Sequence, residues 1–166
     1  MPFYRSGRRG SLMLSVLVAL GLGTASPATA APAETQPSLE EQVIALSNQE
    51  RAEHGCGPLT LDDTLASAAL AHSQDMAARN YFSHTSADGR SPGDRISEAG
   101  YRWTSWAENL AGGQQTPEEV VDAWMSSTGH RRNLLNCALE EVGIGIAENS
   151  RSRYKIYWTQ DFGTPS

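Results

Sequence analysis

Three side chains stand out in this sequence for the chemistry they could do: His84, Glu108 and His130. Imidazole and carboxylate groups carry most general acid–base catalysis and ligate divalent metals. Each of the three stands in a segment with loop or helix-end character: Phe82-Ser83-His84, Ala107-Glu108-Asn109 and Thr128-Gly129-His130. Spacing alone does not join them. Ser127, three residues before His130, adds a hydroxyl that would make a Ser–His pair if the fold aligned it. Taken singly, each histidine also has a plainer role, His84 bonding loop carbonyls and His130 bonding backbone at a helix end. His72 falls on the apolar face of a helix, which suits a satisfied core histidine, and His54 falls at a solvent-facing helix end. The chain has no phosphate-cradling glycine loop, CxxC pair, HExxH motif or GxSxG elbow.

The elements that must position these residues are legible from caps and periodicity. Ser38-Leu39-Glu40-Glu41 is a capping box, and Leu39, Val43 and Leu46 follow at helical spacing, so a helix is expected over about 39–53. Asp62 or Asp63 caps a second, alanine-rich helix through about Asn80. Ser91-Pro92 opens a short helix ending at Gly100. Residues 101–110 read as ambiguous, with an extended segment as one solution. Thr116-Pro117-Glu118-Glu119 opens a further helix through Val120, Val121 and Trp124, expected to stop near Gly129. The period then changes. Val142, Ile144 and Ile146, and later Tyr154, Ile156 and Trp158, alternate as strands do. Helices first and strands gathered late, without a βαβ rhythm, imply an α+β fold with an antiparallel sheet covered by helices.

The N-terminus reads as an address. Arg5, Arg8 and Arg9 precede the apolar run Leu12 to Leu22, which is too short to span a bilayer, and Ala28-Thr29-Ala30 supplies small residues at a cleavage site. A signal peptide over 1–30 is expected, by the general export route since Gly10-Ser11 follows the arginine pair. A disordered lead-in over 31–37 and one domain over 38–166 follow. Cleavage removes three arginines and no acid, leaving 136 residues at a formal charge of −9. That balance disfavours nucleic acid, whose phosphates need clustered cations, and no stable membrane span remains. In an oxidising exterior the two cysteines, Cys56 and Cys137, are expected to pair. Two free buried thiols are the alternative.

Taken in order, several segments resemble the CAP superfamily, the SCP-like extracellular domain of cysteine-rich secretory, antigen 5 and pathogenesis-related 1 proteins, in its bacterial form. They are Asn48-Gln49-Glu50-Arg51, Phe82-Ser83-His84, Ala107-Glu108-Asn109-Leu110-Ala111, Trp124 through Arg131, Gly143-Ile144-Gly145, and Tyr157 through Gly163. The resemblance spans about 39–163 and implies an α-β-α sandwich. It also implies a cleft where two His and two Glu converge and hold a divalent cation such as zinc. His84, Glu108 and His130 match three of the four positions. The second family Glu, three residues after the helix tryptophan, is Ser127 here.

The expected function is a secreted module whose His84/Glu108/His130 cleft binds a lipid, an envelope component or a protein outside the cell, with at most weak divalent-metal binding. One alternative is a metal-dependent, peptidase-like hydrolase using the same cleft, with Glu108 as general base on a bound water. Another is a purely structural extracellular protein rigidified by its disulfide.

Overall fold

The computed structural model describes residues 36–166. The signal-peptide reading of 1–30 and most of the 31–37 lead-in lie outside these residues. Helix α1 (Leu39–Glu53) begins at the expected capping box: Ser38 Oγ accepts from the Glu41 amide at 3.2 Å, and Glu41 Oε2 accepts from the Ser38 amide at 2.7 Å. Strand β1 (Thr60–Leu61) follows, then α2 (Asp63–Arg79), capped by Asp62 Oδ1 accepting from the Thr64 and Leu65 amides. Helix α3 (Pro92–Glu98) carries a Ser91/Asp94 capping box. Strand β2 (Trp103–Gly112), helix α4 (Pro117–Ser126), helix α5 (Thr128–Leu134), and strands β3 (Glu141–Glu148) and β4 (Ile156–Pro165) complete the order.

The four strands run β1-β3-β4-β2. β3, β4 and β2 are antiparallel, as the sequence implied, but β1 joins β3 in parallel, so the sheet is mixed. Two residues are too few to show an alternating pattern, and the Thr60–Leu61 strand was therefore invisible in the sequence. The ambiguous stretch after Tyr101 is a full ten-residue strand at the sheet edge.

Helix α4 also ends earlier than expected. Ser127 is extended (φ −100°, ψ 122°). Its amide still donates to Trp124 O, while its carbonyl accepts from the Arg131 amide at 2.8 Å and starts α5. The chain therefore turns at Ser127 instead of running straight to Gly129. That turn brings His130 back toward the sheet.

Helices cover both faces of the sheet. On one face Val142, Ile144, Trp158 and Phe162 pack with Val43 of α1 and with Val120, Val121 and Trp124 of α4. On the other face α2 lies so close that only glycine fits beneath it. A Cβ at Gly143 would fall 2.0 Å from the Ala66 nitrogen, and one at Gly145 would fall 2.1 Å from the Leu70 nitrogen. The two bare positions of β3 let the α2 backbone rest on the sheet, and the alanine-rich face of α2 completes the contact. The architecture is an α-β-α sandwich. The cysteines form the expected disulfide, Cys56–Cys137, which ties the end of α1 to the segment after α5.

Candidate functional site

The site is built around two consecutive residues of edge strand β2. Side chains alternate along a strand, so Glu108 and Asn109 point to opposite faces of the sheet. Glu108 faces the α2/α3 layer and Asn109 faces the other. Each recruits one of the two histidines.

On the α2/α3 side the loop between those helices carries His84. Two buried side chains pin its backbone. His72 of α2 donates from Nε2 to Ser83 O at 2.9 Å, and Arg95 of α3 donates from Nη1 to His84 O at 2.8 Å and to Ser86 Oγ at 3.0 Å. The loop thus presents the His84 ring to Glu108, and His84 Nδ1 donates to Glu108 Oε1 at 2.6 Å. The second oxygen, Oε2, accepts from Arg95 Nη2. The Glu108 side chain is 1% exposed and that of His84 is 53% exposed. With its Nδ1 proton given to Glu108, His84 turns an outward-facing ring whose Nε2 carries the lone pair in the neutral form.

On the opposite side Asn109 Nδ2 donates to His130 O at 3.2 Å and to Gln160 Oε1 at 3.1 Å, and Gln160 Nε2 donates to Ser47 Oγ. Asn133 of α5 donates to Glu108 O and to Asn109 Oδ1. This buried amide ladder fixes α5, and with it His130, against the strand. Burial holds the His130 pKa below the usual histidine value, and charge repulsion from the nearby His84 lowers it further. His84, Glu108 and His130 therefore share one neighbourhood. Ser127 lies at the α4/α5 elbow, where its side chain makes no cap hydrogen bond.

Arg95 and Asp161, like Asn133 and Gln160, were not singled out from sequence. Arg95 is 5% exposed and grips both the loop and Glu108. Asp161, paired with Glu108 in the β2/β4 register, is fully buried, and neither of its oxygens has a partner. Burial, and then the Glu108 charge beside it, raise its pKa well above the usual carboxylate value. A signal for it existed: an acid inside the alternating run 157–162 must take a place on a buried strand face. His72 was expected to be a satisfied core residue. It is 1% exposed, but only its Nε2 is bonded. His54 caps α1 as expected, exposed and bonded to Glu50 O and Arg131.

The donor set bears directly on a metal. Glu108 spends both oxygens on His84 and Arg95, and Ser127 offers no carboxylate. Among the described residues, no group of three or more His, Cys, Asp or Glu is arranged to hold a metal ion. Structural and catalytic zinc centres take three or four protein ligands. Two imidazoles fit a loosely held cation and do not fit a resident zinc ion. Glu108 instead stands where a carboxylate orients a ligand histidine from behind.

Comparison with known proteins agrees with this fold. The model of the cysteine-rich secretory protein family, CAP, matches residues 44–162. An uncharacterized Bacillus subtilis protein, YkwD, is 42% identical over 144 residues, 82% of this chain and 54% of its own length. The crystal structure of an extracellular protein containing an SCP domain from Bacillus anthracis superposes with a TM-score of 0.67 at 33% identity, over 75% of this chain and 40% of that one. An outer surface protein of Borrelia burgdorferi shares the fold, with a TM-score of 0.68 at 22% identity over 75% of this chain and 90% of its own. The chain spans about half the length of the B. subtilis relative. Among the described residues no helix is long and apolar enough to cross a membrane. The matched segment carries the Glu108/Asn109 strand and both flanking histidine elements, and the chain belongs to the cysteine-rich secretory protein (CAP) family.

Proposed function

We propose that this protein is a secreted binding module, whose His84/His130 edge captures a ligand or partner outside the cell without turning it over. One observation carries the reading: the Glu108 carboxylate is engaged by His84 on one oxygen and by Arg95 on the other. A general base must lie within reach of the proton it takes, and the Glu108 side chain, 1% exposed and holding His84 and Arg95, is shielded from solvent. Its role is orientation. It holds the His84 ring, while Arg95 neutralises it in the interior. Burial, and then the nearby His84, shift His130 toward its neutral, hydrogen-bonding ring. Two such rings suit a polar ligand group, a lipid headgroup or an envelope glycan among them. They suit a divalent cation only weakly. The sequence names of the B. anthracis and B. burgdorferi neighbours, extracellular and outer surface, support an external location.

The test is a nuclear magnetic resonance titration of the mature protein with zinc, with lipid vesicles of neutral and anionic composition, and with cell-wall glycan fragments, following the His84 and His130 ring signals. Saturable shifts with at least one lipid or glycan, lost in His84→Ala, are expected, with zinc binding only weakly. A peptide and ester hydrolysis screen runs alongside. Turnover abolished by both His84→Ala and His130→Ala would replace this reading with the hydrolase.

A further inference from the structure

The turn between β3 and β4 carries charge of the opposite sign to the rest of the chain. Residues 149–155 hold Arg151, Arg153 and Lys155 and no acid, in a mature chain whose formal charge is −9. Within five residues on either side the only acid is Glu148. All three cations are exposed, and none of them joins an ion pair among the described residues. The turn is closed by the Asn149 amide donating to Lys155 O at 2.7 Å. It is pinned to the end of α2, where Asn149 Nδ2 donates to Ala77 O and the Arg153 amide donates to Asn80 Oδ1. Lys155 is the only lysine in the sequence. It stands at φ 66°, in the left-handed region, which is unfavourable for a residue with a Cβ and open to glycine. The turn thus keeps a cation at a position whose backbone would suit glycine better.

An aromatic surface adjoins these charges. Arg153 Cζ lies 5.2 Å from the Tyr154 ring centroid, and the Phe82 ring packs 5.0 Å from the same ring. Tyr154 is half-buried and meets the buried Tyr157 edge-on. Phe82 is 41% exposed. Both rings rest on Gly112 at the end of β2, where a Cβ would fall 3.0 Å from Tyr154 Cγ and 3.2 Å from Phe82 Cε2. The fold therefore holds an exposed apolar ring beside a cation-bearing turn instead of burying it.

We propose that this turn docks the protein peripherally on an anionic lipid bilayer, with Arg151, Arg153 and Lys155 at the phosphate headgroups and Phe82 at the boundary with the acyl chains. Cations near an anionic surface attract it, each adding to the affinity, and aromatic rings settle at the same depth. Phe82 argues for a bilayer over a soluble phosphate polymer, because an apolar ring gains nothing from a polymer that stays in water. The docking surface is separate from the ligand site proposed at His84 and His130.

Sedimentation of the mature protein with vesicles tests the proposal. One set is phosphatidylcholine alone, and the other is phosphatidylcholine mixed equally with phosphatidylglycerol. Saturable binding to the anionic vesicles, weakening as salt is raised, is expected, with none to the neutral ones. Arg151→Gln, Arg153→Gln and Lys155→Gly should each weaken it about fivefold. Lys155→Gly suits the same backbone, so its loss of binding is not a loss of fold. Phe82→Gln keeps every cation and should also bind about fivefold more weakly. His84→Ala should bind the vesicles as the parent does. Equal binding to neutral vesicles, no binding to either set, or parent-like binding by the triple cation variant would overturn the proposal. So would parent-like binding by Phe82→Gln together with tight binding of soluble polyphosphate, which would replace the bilayer with a phosphate polymer. A loss in His84→Ala equal to that of the triple variant would also overturn it, by moving the contact to the first site. Absent vesicle binding alongside intact glycan shifts at His84 would count against the turn alone.

Discussion

Glu108 and Asp161 sit directly opposite each other across β2 and β4, on the same face of the sheet, yet only Glu108 has a cationic partner. Cross-strand neighbours of like charge repel. Burial, and then the Glu108 charge opposite, raise the Asp161 pKa well above the usual carboxylate value and so favour its protonated form. Raised in the folded state, it makes the native protein bind more protons than the unfolded chain above the ordinary aspartate value of 3.8. Stability from this group is therefore lost as pH rises. Asp161→Asn keeps the shape and removes the titration. Its melting temperature is expected to exceed that of the parent at pH 7 and to depend less on pH across the acidic range. Identical pH profiles for the two proteins would refute the assignment.

The histidines have the opposite sign. Burial, first of all, depresses the pKa of His72, and burial and His84 together depress that of His130. Both favour the neutral ring in the fold, so stability is present above the unfolded value of 6.5 and is lost as pH falls through and below it. His72→Gln retains a donor for Ser83 O and cannot titrate. It should remove part of the acid loss seen by chemical denaturation at pH 5 against pH 7. A parent-like loss in the variant would assign the effect elsewhere.

Arg51 is 1% exposed and has no carboxylate partner. Its guanidinium donates instead to four carbonyls, those of Gly57, Leu134, Asn136 and Leu139. It gathers the two chain segments that the Cys56–Cys137 bond ties together. Arg51→Met leaves these acceptors bare and is expected to cost about 3 kcal/mol or more in urea denaturation. Loss of the disulfide in Cys56→Ala/Cys137→Ala removes closure of an 81-residue separation, worth roughly 4.5 kcal/mol in the chain-entropy model. The two regions adjoin, so the triple variant should lose less than the sum.

Gly145 and Gly57 make a matched contrast. A Cβ at Gly145 meets the α2 backbone at 2.1 Å, whereas one at Gly57 meets nothing within 4 Å. Gly145→Ala must push a whole helix away and is expected to cost about 3 kcal/mol. Gly57→Ala should stay within about 0.5 kcal/mol. Equal melting temperatures for the two variants would contradict the helix-on-glycine packing.

Local rules made much of the fold legible. The capping boxes at Ser38 and Ser91, the Asp62 cap and the alternating runs after Val142 depend on residues within a few positions of one another, so they can be read without knowing the rest of the chain. The cysteine pairing followed from count and compartment. Residues 103–112 could not be placed in the same way, because the strand is defined by β4 pairing fifty residues on. Nor could the end of α4, because nothing in Ser126-Ser127-Thr128 forbids helix. The turn is stabilised by the Asn109 and Asn133 contacts that draw α5 to the strand.

The sequence by itself determined which side chains exist to do chemistry: His84, His130, one matching carboxylate at Glu108, and a serine where the family has its second. Only the tertiary structure decided what Glu108 is free to do. Arg95, thirteen residues earlier on another element, occupies one of its oxygens, and His84 occupies the other. The physical reason is that a buried carboxylate must be paired or protonated. Glu108 is paired with Arg95, and Asp161, buried without a cationic partner, is pushed toward its protonated form, a division set by where the strands and α3 place that guanidinium.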